Sequence, residues 1–272
     1  MKNKRNIISW IILIVLAFSV LFPLYTLFLN SFKTRGEIFS NPLSIPKDFS
    51  FSNYLKAWKY ADLGRGLLNS FVLASLSAVL TMLIAGLAAY ALARRARGSS
   101  SMITFLMFCN TLPLFIMLIP LYVWFQKLGL INLIGVVIIS VGLSLPFSTL
   151  LLRSFLVTIP KEIEEAALID GANKWQVFWR IVLPIARTGF LTVGLVNFTG
   201  GWNAFTIPLT FLSANPDQQT AIVKIFTLSG QYTAPWGQIF AAIVIVSLPM
   251  IVIFLLFQRY FVQGFIGGAF KY

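Results

Sequence analysis

The chain has 272 residues, of which 58% are hydrophobic and 11% charged, with a mean hydropathy of +0.86 and a net charge of +13. Water-soluble domains run at about 45 to 50% apolar and about 25% charged, so this composition excludes an ordinary soluble fold and points to a bilayer as solvent. The positive charge does not indicate nucleic acid, because the basic residues stand singly or in small groups between apolar runs, as in loop-anchored membrane proteins.

Six charge-free runs organise the sequence: residues 6–32, 66–93, 98–126, 128–152, 188–216 and 225–258. Each exceeds the roughly 20 residues that carry a helix across about 30 Å of hydrocarbon, and a lipid-facing span must be helical to satisfy its own backbone. Spans are therefore expected near residues 7–29, 67–92, 102–125, 131–152, 188–212 and 238–257. The fold class is an all-α membrane protein with six transmembrane helices in a single domain, residues 1–272.

Lys2, Lys4 and Arg5 precede the first span, which has no small-residue cleavage site and is long enough to cross, so it reads as a retained anchor. The same charges set the amino terminus in the cytoplasm. That places Arg94, Arg95 and Arg97, the loop 153–187, and the carboxyl terminus with Arg259 and Lys271 on the same side. The loop 33–65 argues against this with six Lys or Arg, but it is long and its charges are spread among Glu37, Asp48 and Asp62. In the second span Ala85, Ala89 and Ala93 recur every four residues, a spacing that lets helices approach closely. Pro113, Pro120, Pro146, Pro208 and Pro249 lie in or near spans, where each removes a backbone donor and can bend its helix.

The loop 153–187 carries the densest signal. Pro160 suits a helix start, Glu162, Glu164 and Glu165 favour its positive end, and Gly171 suits its termination. On that helix Ile163, Ala166, Ala167 and Asp170 share one small, mildly apolar face. A second short helix is predicted from Asn173, a plausible cap, with Trp175, Phe178, Trp179 and Val182 on one face packed against the chain's own spans and Pro184 closing it. In the fifth span Asn197, Trp202 and Asn203, beside Thr199, Gly200 and Gly201, offer amide hydrogen-bond partners and an aromatic face suited to a sugar. The same residues also read as packing, with the glycines permitting helix contact and Asn197 bonding a neighbouring helix. The triplet Asn197-Phe198-Thr199 matches a glycosylation acceptor, but its depth in a span makes that a chance match.

Chemistry on this chain is not expected. Histidine is absent, Cys109 is the sole cysteine and sits in an apolar run, and no GxxxxGK[S/T] phosphate loop occurs. No catalytic residue and no metal site are expected, and any energy source must lie on another chain.

The run Glu165-Ala166-Ala167, Asp170-Gly171-Ala172, Phe178, Ile181 and Leu183-Pro184 resembles the signature loop of the membrane permeases of binding-protein-dependent ABC importers. Ser31, Lys33, Glu37, Pro46, Asn53 and Tyr54, then Trp202-Asn203 and Pro208-Leu209, then Gln258-Arg259-Tyr260-Phe261-Val262 with Gly264 and Gly268, are similar to the carbohydrate-importing branch of the maltose-transporter type. One departure is Ala186-Arg187-Thr188-Gly189 after the Leu-Pro pair, where the family often has a further proline.

The resemblance implies a multi-pass subunit of a bacterial or archaeal plasma membrane. Its implied partners are two ABC ATPase subunits, a second and different permease chain, and an extracytoplasmic solute-binding protein that delivers a sugar or oligosaccharide. Residues 161–171 would be the coupling helix between spans four and five, with Glu165, Ala166, Ala167, Asp170 and Gly171 meeting an ATPase. The chain itself would bind no cofactor, ATP and Mg belonging to the partner ATPase. An ion-coupled secondary transporter would need intramembrane acids or histidines, and the six runs hold none. An intramembrane enzyme would need a nucleophile with a base or a metal cluster, and a passive channel would leave the charged loop without a purpose.

Overall fold

Helix is the only regular structure among the described residues, as a backbone without water to bond requires. The computed structural model describes residues 2–94, 96–230 and 234–269, with side chains described between residues 9 and 259. Arg95 and Lys271, and the side chains of Lys2, Lys4, Arg5, Tyr260, Phe261 and Val262, lie outside the described residues.

The elements in chain order are α1 (Lys2–Asn30), α2 (Arg35–Ser40), α3 (Ser52–Tyr60), α4 (Leu63–Ala93), α5 (Ser99–Cys109), α6 (Leu114–Lys127), α7 (Leu133–Leu156) and α8 (Lys161–Ile169). Next, α9 (Lys174–Val177), a π-helical turn (Phe178–Val182) and α10 (Leu183–Ile185) run on as one elbow. The rest are α11 (Arg187–Trp202), α12 (Thr206–Leu212), α13 (Ala221–Ser229) and α14 (Trp236–Ala269).

Among the described residues, four helices are long and apolar enough to cross unbroken: Ser9–Asn30 of α1, α4, α7 and Trp236–Arg259 of α14. Two bent pairs raise the number to six if each pair is one span. The span expected near 102–125 is two helices, α5 and α6, meeting at 96°. Pro113 disfavours helix at Leu112, and the Asn110 and Thr111 side chains turn back to the carbonyls of Leu106 and Phe108, which ends α5. The span expected near 188–212 is also interrupted. The elbow turns by 79° into α11 at Ala186, and α11 stops at Trp202 before α12 begins at Thr206. Pro184 and Pro208 have no N–H to offer the carbonyls of Arg180 and Ala204, so the helical ladder lapses near both breaks.

The described chain separates into two compact units, Met1–Gly66 with Ala221–Ile251, and Leu67–Thr220 with Val252–Tyr272. In the first, the segment after α1 is tied down by polar bonds. Buried Lys33 donates through Nζ to the carbonyls of Asn41 and Pro42 at 3.1 and 3.0 Å. Asn53 Nδ2 donates to the carbonyls of Ser31 and Lys33, and the Ser31 hydroxyl lies 2.7 Å from the Tyr54 hydroxyl. Thr34 and Glu37 form a capping box at the start of α2, and the Thr34 amide and hydroxyl hold the Glu37 carboxyl below its usual range. Thus Ser31, Lys33, Asn53 and Tyr54 are one hydrogen-bonded knot. Farther on, Lys224 of α13 pairs with Asp62 at 3.0 Å, and Asp62 sits in the left-handed region at φ 46°.

Among the described residues of the second unit, apolar side chains gather into a core toward each end of α4. In one, Leu73 of α4 packs with Val136 and Val137 of α7 and Phe211 and Leu212 of α12. In the other, Ala85, Ala89 and Ala93 of α4 meet Leu152 and Leu156 of α7 together with the elbow's Phe178 and Val182. The alanine repeat is the floor on which the elbow rests, because side chains no larger than a methyl let its aromatic rings come close.

Candidate functional site

Pro160 is the N-cap residue of α8, and the helix ends in a Schellman motif. Gly171, at φ +87°, donates to the Leu168 carbonyl, and Ala172 donates to that of Ala167. Glu165, Ala166, Asp170 and Gly171 are exposed, as are Ile163 and Leu168, while Ala167 turns half-buried onto the second core. Most of the residues expected to meet an ATPase therefore form an open surface.

What holds α8 in place is Glu164, buried at 7% exposure. Its Oε1 accepts from Arg94 Nε at 2.8 Å and from Nη2, and its Oε2 accepts from the Tyr90 hydroxyl at 2.8 Å. Arg94 Nη1 reaches on to the Leu156 carbonyl at 3.3 Å. One carboxylate thus fastens α8 to the ends of α4 and α7. From sequence Glu164 stands with Glu162 and Glu165 as a helix-dipole charge, and nothing local separates the three or marks this role.

Beside α8 the elbow begins at Asn173, whose side chain accepts from the Gln176 amide at 2.9 Å while Gln176 Oε1 accepts from the Asn173 amide at 2.8 Å. This capping box bears out the predicted start. Phe178 and Val182 are buried, and the Phe178 ring contacts those of Tyr90 and Trp179 at 5.3 and 5.2 Å. Trp175 departs from the predicted stripe. It is 59% exposed, with one edge against Trp179. Contact with the core is tight: a Cβ on Gly189 would lie 2.7 Å from the Phe155 ring, and one on Gly86 would lie 2.5 Å from Phe190.

The residues picked out as a substrate path do not share one environment. Asn197 is buried and donates through Nδ2 to Ser148 Oγ of α7 at 2.9 Å and to the Val193 carbonyl at 2.8 Å. Trp202 is buried and stacks on Phe198 at 6.1 Å, whereas Asn203, at the C-cap of α11, is exposed. Asn197→Ala is expected to destabilise the purified protein, and the loss should shrink in a Ser148→Ala background to the part carried by the Val193 bond and packing. The expected coupling is about 0.6 kcal/mol and at most roughly 1.7. A double-mutant cycle by thermal unfolding measures it, and independent effects of the two changes would show that the bond carries no stability.

Residues 81–267 match the family described as the inner membrane component of binding-protein-dependent transport systems. The chain belongs to this family. The match takes in α8, the elbow and the Arg94–Glu164 pair. The permease is 35% identical over 270 residues to a diacetylchitobiose uptake system permease protein of Streptomyces coelicolor, covering 97% of this chain and 88% of the relative. It is 31% identical over 273 residues to a melibiose/raffinose/stachyose import permease protein of Bacillus subtilis, covering 99% and 98%. Among solved structures, a bacterial ABC transporter involved in import of the acidic polysaccharide alginate has a chain of the same fold, with TM-score 0.81, 22% identity and coverage of 94% and 96%. The permease is a transport subunit and a multi-pass membrane protein.

Proposed function

We propose that this chain is one permease subunit of an ATP-driven importer for a sugar or oligosaccharide, with α8 as the helix through which a partner ATPase moves it. The observation that carries the reading is the open face of α8 on a helix fixed from behind by Glu164, Arg94 and Tyr90. A push on α8 is then delivered to α4 and the elbow rather than absorbed by a loose loop, which is what a two-state element biased by a partner requires.

In the assembled importer, two ATPases bind ATP and Mg, a second and different permease completes the pathway, and an external binding protein delivers the solute. The chain acts as one transmembrane domain over residues 1–272 with six spans, the elbow standing outside the fifth, and with both termini in the cytoplasm. Relatives that import diacetylchitobiose and melibiose, raffinose and stachyose support the substrate class. Asn197, Trp202 and Asn203 are its candidates for the substrate path.

Gly171→Val tests the coupling role. At φ +87° a β-branched side chain is strained by about 1 to 2 kcal/mol or more, so the turn after α8 must move. Uptake into proteoliposomes is expected to fall at least severalfold while the ATPase subunits continue to hydrolyse ATP. Gly171→Asn, which tolerates the left-handed region, should retain most uptake. Normal uptake in the Val variant would count against α8 as the coupling element.

A further inference from the structure

The elbow carries a feature that coupling does not use. In the corner where it turns by 79° into α11 lies a half-open cleft of about 330 Å³, lined by Met82, Leu83, Trp179, Leu183, Phe190 and Leu191, with Arg187 its one charged residue. The lining is otherwise almost wholly apolar, and the volume lies within the range of small-ligand clefts, about 300 to 1,000 Å³. Arg187 and Arg180 are both exposed, and neither makes an ion pair with a described residue. No Asp or Glu occurs between Asp170 and Asp217, so the elbow is cationic throughout. Trp175 and Trp179 give it the aromatic belt of a helix lying at a membrane surface.

From this arrangement we infer that the elbow corner binds one anionic phospholipid, its acyl chain in the apolar cleft and its phosphate held by Arg187 at the cleft wall, with Arg180 of the elbow adding to the positive field. The inference rests on the reading of α11 as a membrane span, since a near-perpendicular elbow then lies along the inner surface, where anionic headgroups and acyl chains meet. Charge complementarity decides the occupant. A neighbouring apolar protein helix would fill the cleft equally well but would leave the Arg187 guanidinium without an anion, whereas a phosphatidylglycerol molecule satisfies both the apolar cleft and the charge at its wall.

The test uses the complete importer, with its partner subunits, in nanodiscs containing brominated phosphatidylglycerol or brominated phosphatidylcholine. Bromine quenches indole fluorescence on contact, so wild type minus Trp179→Phe isolates the signal from the cleft. Phosphatidylglycerol is expected to half-quench that signal at a mole fraction roughly fivefold lower per arginine than phosphatidylcholine. Arg180→Gln with Arg187→Gln should erase the difference, and the double lysine variant should keep most of it. Equal quenching by the two lipids, a preference that survives the double glutamine variant, or no quenching by either because protein covers the cleft would each overturn the inference. Wild type minus Trp10→Phe reports α1, where Trp10 is exposed. Loss of quenching there as well would sink the membrane reading itself, and loss at Trp179 alone sinks only the lipid site. Should Trp179→Phe fail to assemble, phosphatidylglycerol retained by the wild-type and double glutamine complexes in native mass spectrometry gives the same decision.

Discussion

Replacing Glu164 by alanine is expected to reduce solute uptake by the assembled importer at least tenfold while its ATPases continue to turn over. The reason lies in what the carboxylate leaves behind. Arg94 has a side chain 17% exposed, and without Glu164 it keeps, among the described residues, a 3.3 Å bond to the Leu156 carbonyl and its place over the Tyr90 ring, neither of which supplies an anion. Removing one partner of a buried pair costs about 3 to 5 kcal/mol, and the partial exposure of Arg94 puts this case at the lower end. The Tyr90 hydroxyl loses its acceptor in the same step. With α8 then held mainly by Ala167 and Ala172 against the core, the proposed coupling predicts that ATPase closure would move α8 without moving α4.

The double variant Arg94→Ala with Glu164→Ala separates coupling from simple loss of fold. Because the unpaired charge is gone, its stability should recover relative to Glu164→Ala, with an interaction energy of roughly 1 kcal/mol or more. Uptake should stay low, since the bond through which the proposed coupling runs is still missing. Thermal unfolding of the three variants, with uptake and ATP hydrolysis in proteoliposomes, measures both quantities. Uptake near wild type in Glu164→Ala would show that the pair is not part of the drive.

This pair also marks where the sequence stops being legible. The punctuation of α8 and the elbow was readable because it is local: Pro160, the Asn173 cap with Gln176 three residues on, and Gly171 at a positive φ each act within a few residues. Glu164 and Arg94 are 70 residues apart, and the acidic cluster 162–165 offers three carboxylates of equal local standing. Only the rotation of α8 about its axis, with Ala167 and Ala172 seated on the core, makes Glu164 rather than Glu162 or Glu165 the buried partner of Arg94 and Tyr90. The bends were hidden for a related reason. Hydropathy sums apolar residues without recording direction, so α5 with α6, and α11 with α12, scored as continuous spans although Pro113 and Pro208 stand at or just past the breaks. Pro146 and Pro249, by contrast, lie inside unbroken helices, so proline alone does not forecast a break.

The adjacent glycines of α11 sharpen the same point and give the second large effect. In the sequence Gly200 and Gly201 are indistinguishable. In the structure a Cβ on Gly201 would lie 2.8 Å from the Ala74 backbone Cα and 3.0 Å from Ser77 Oγ, while one on Gly200 would meet nothing within 4 Å. Ser77 has little room to yield, because its hydroxyl is buried and bonded to the Leu73 carbonyl. Gly201→Leu must therefore push α11 away from α4, at a cost of about 3 kcal/mol or more, the upper range of overpacking in a filled core. The displacement begins one residue before Trp202 and ends the close packing through which the proposed coupling would carry movement from α4 to α11. Thermal unfolding is expected to show that loss together with near-complete loss of uptake. Gly200→Leu, facing open space, should unfold within about 1 kcal/mol of wild type, the small change typical of sites away from packed features. Equal effects at the two positions would mean that α11 and α4 do not cross as closely as Gly201 requires, and the path from α8 through α4 to α11 would then lack its last contact.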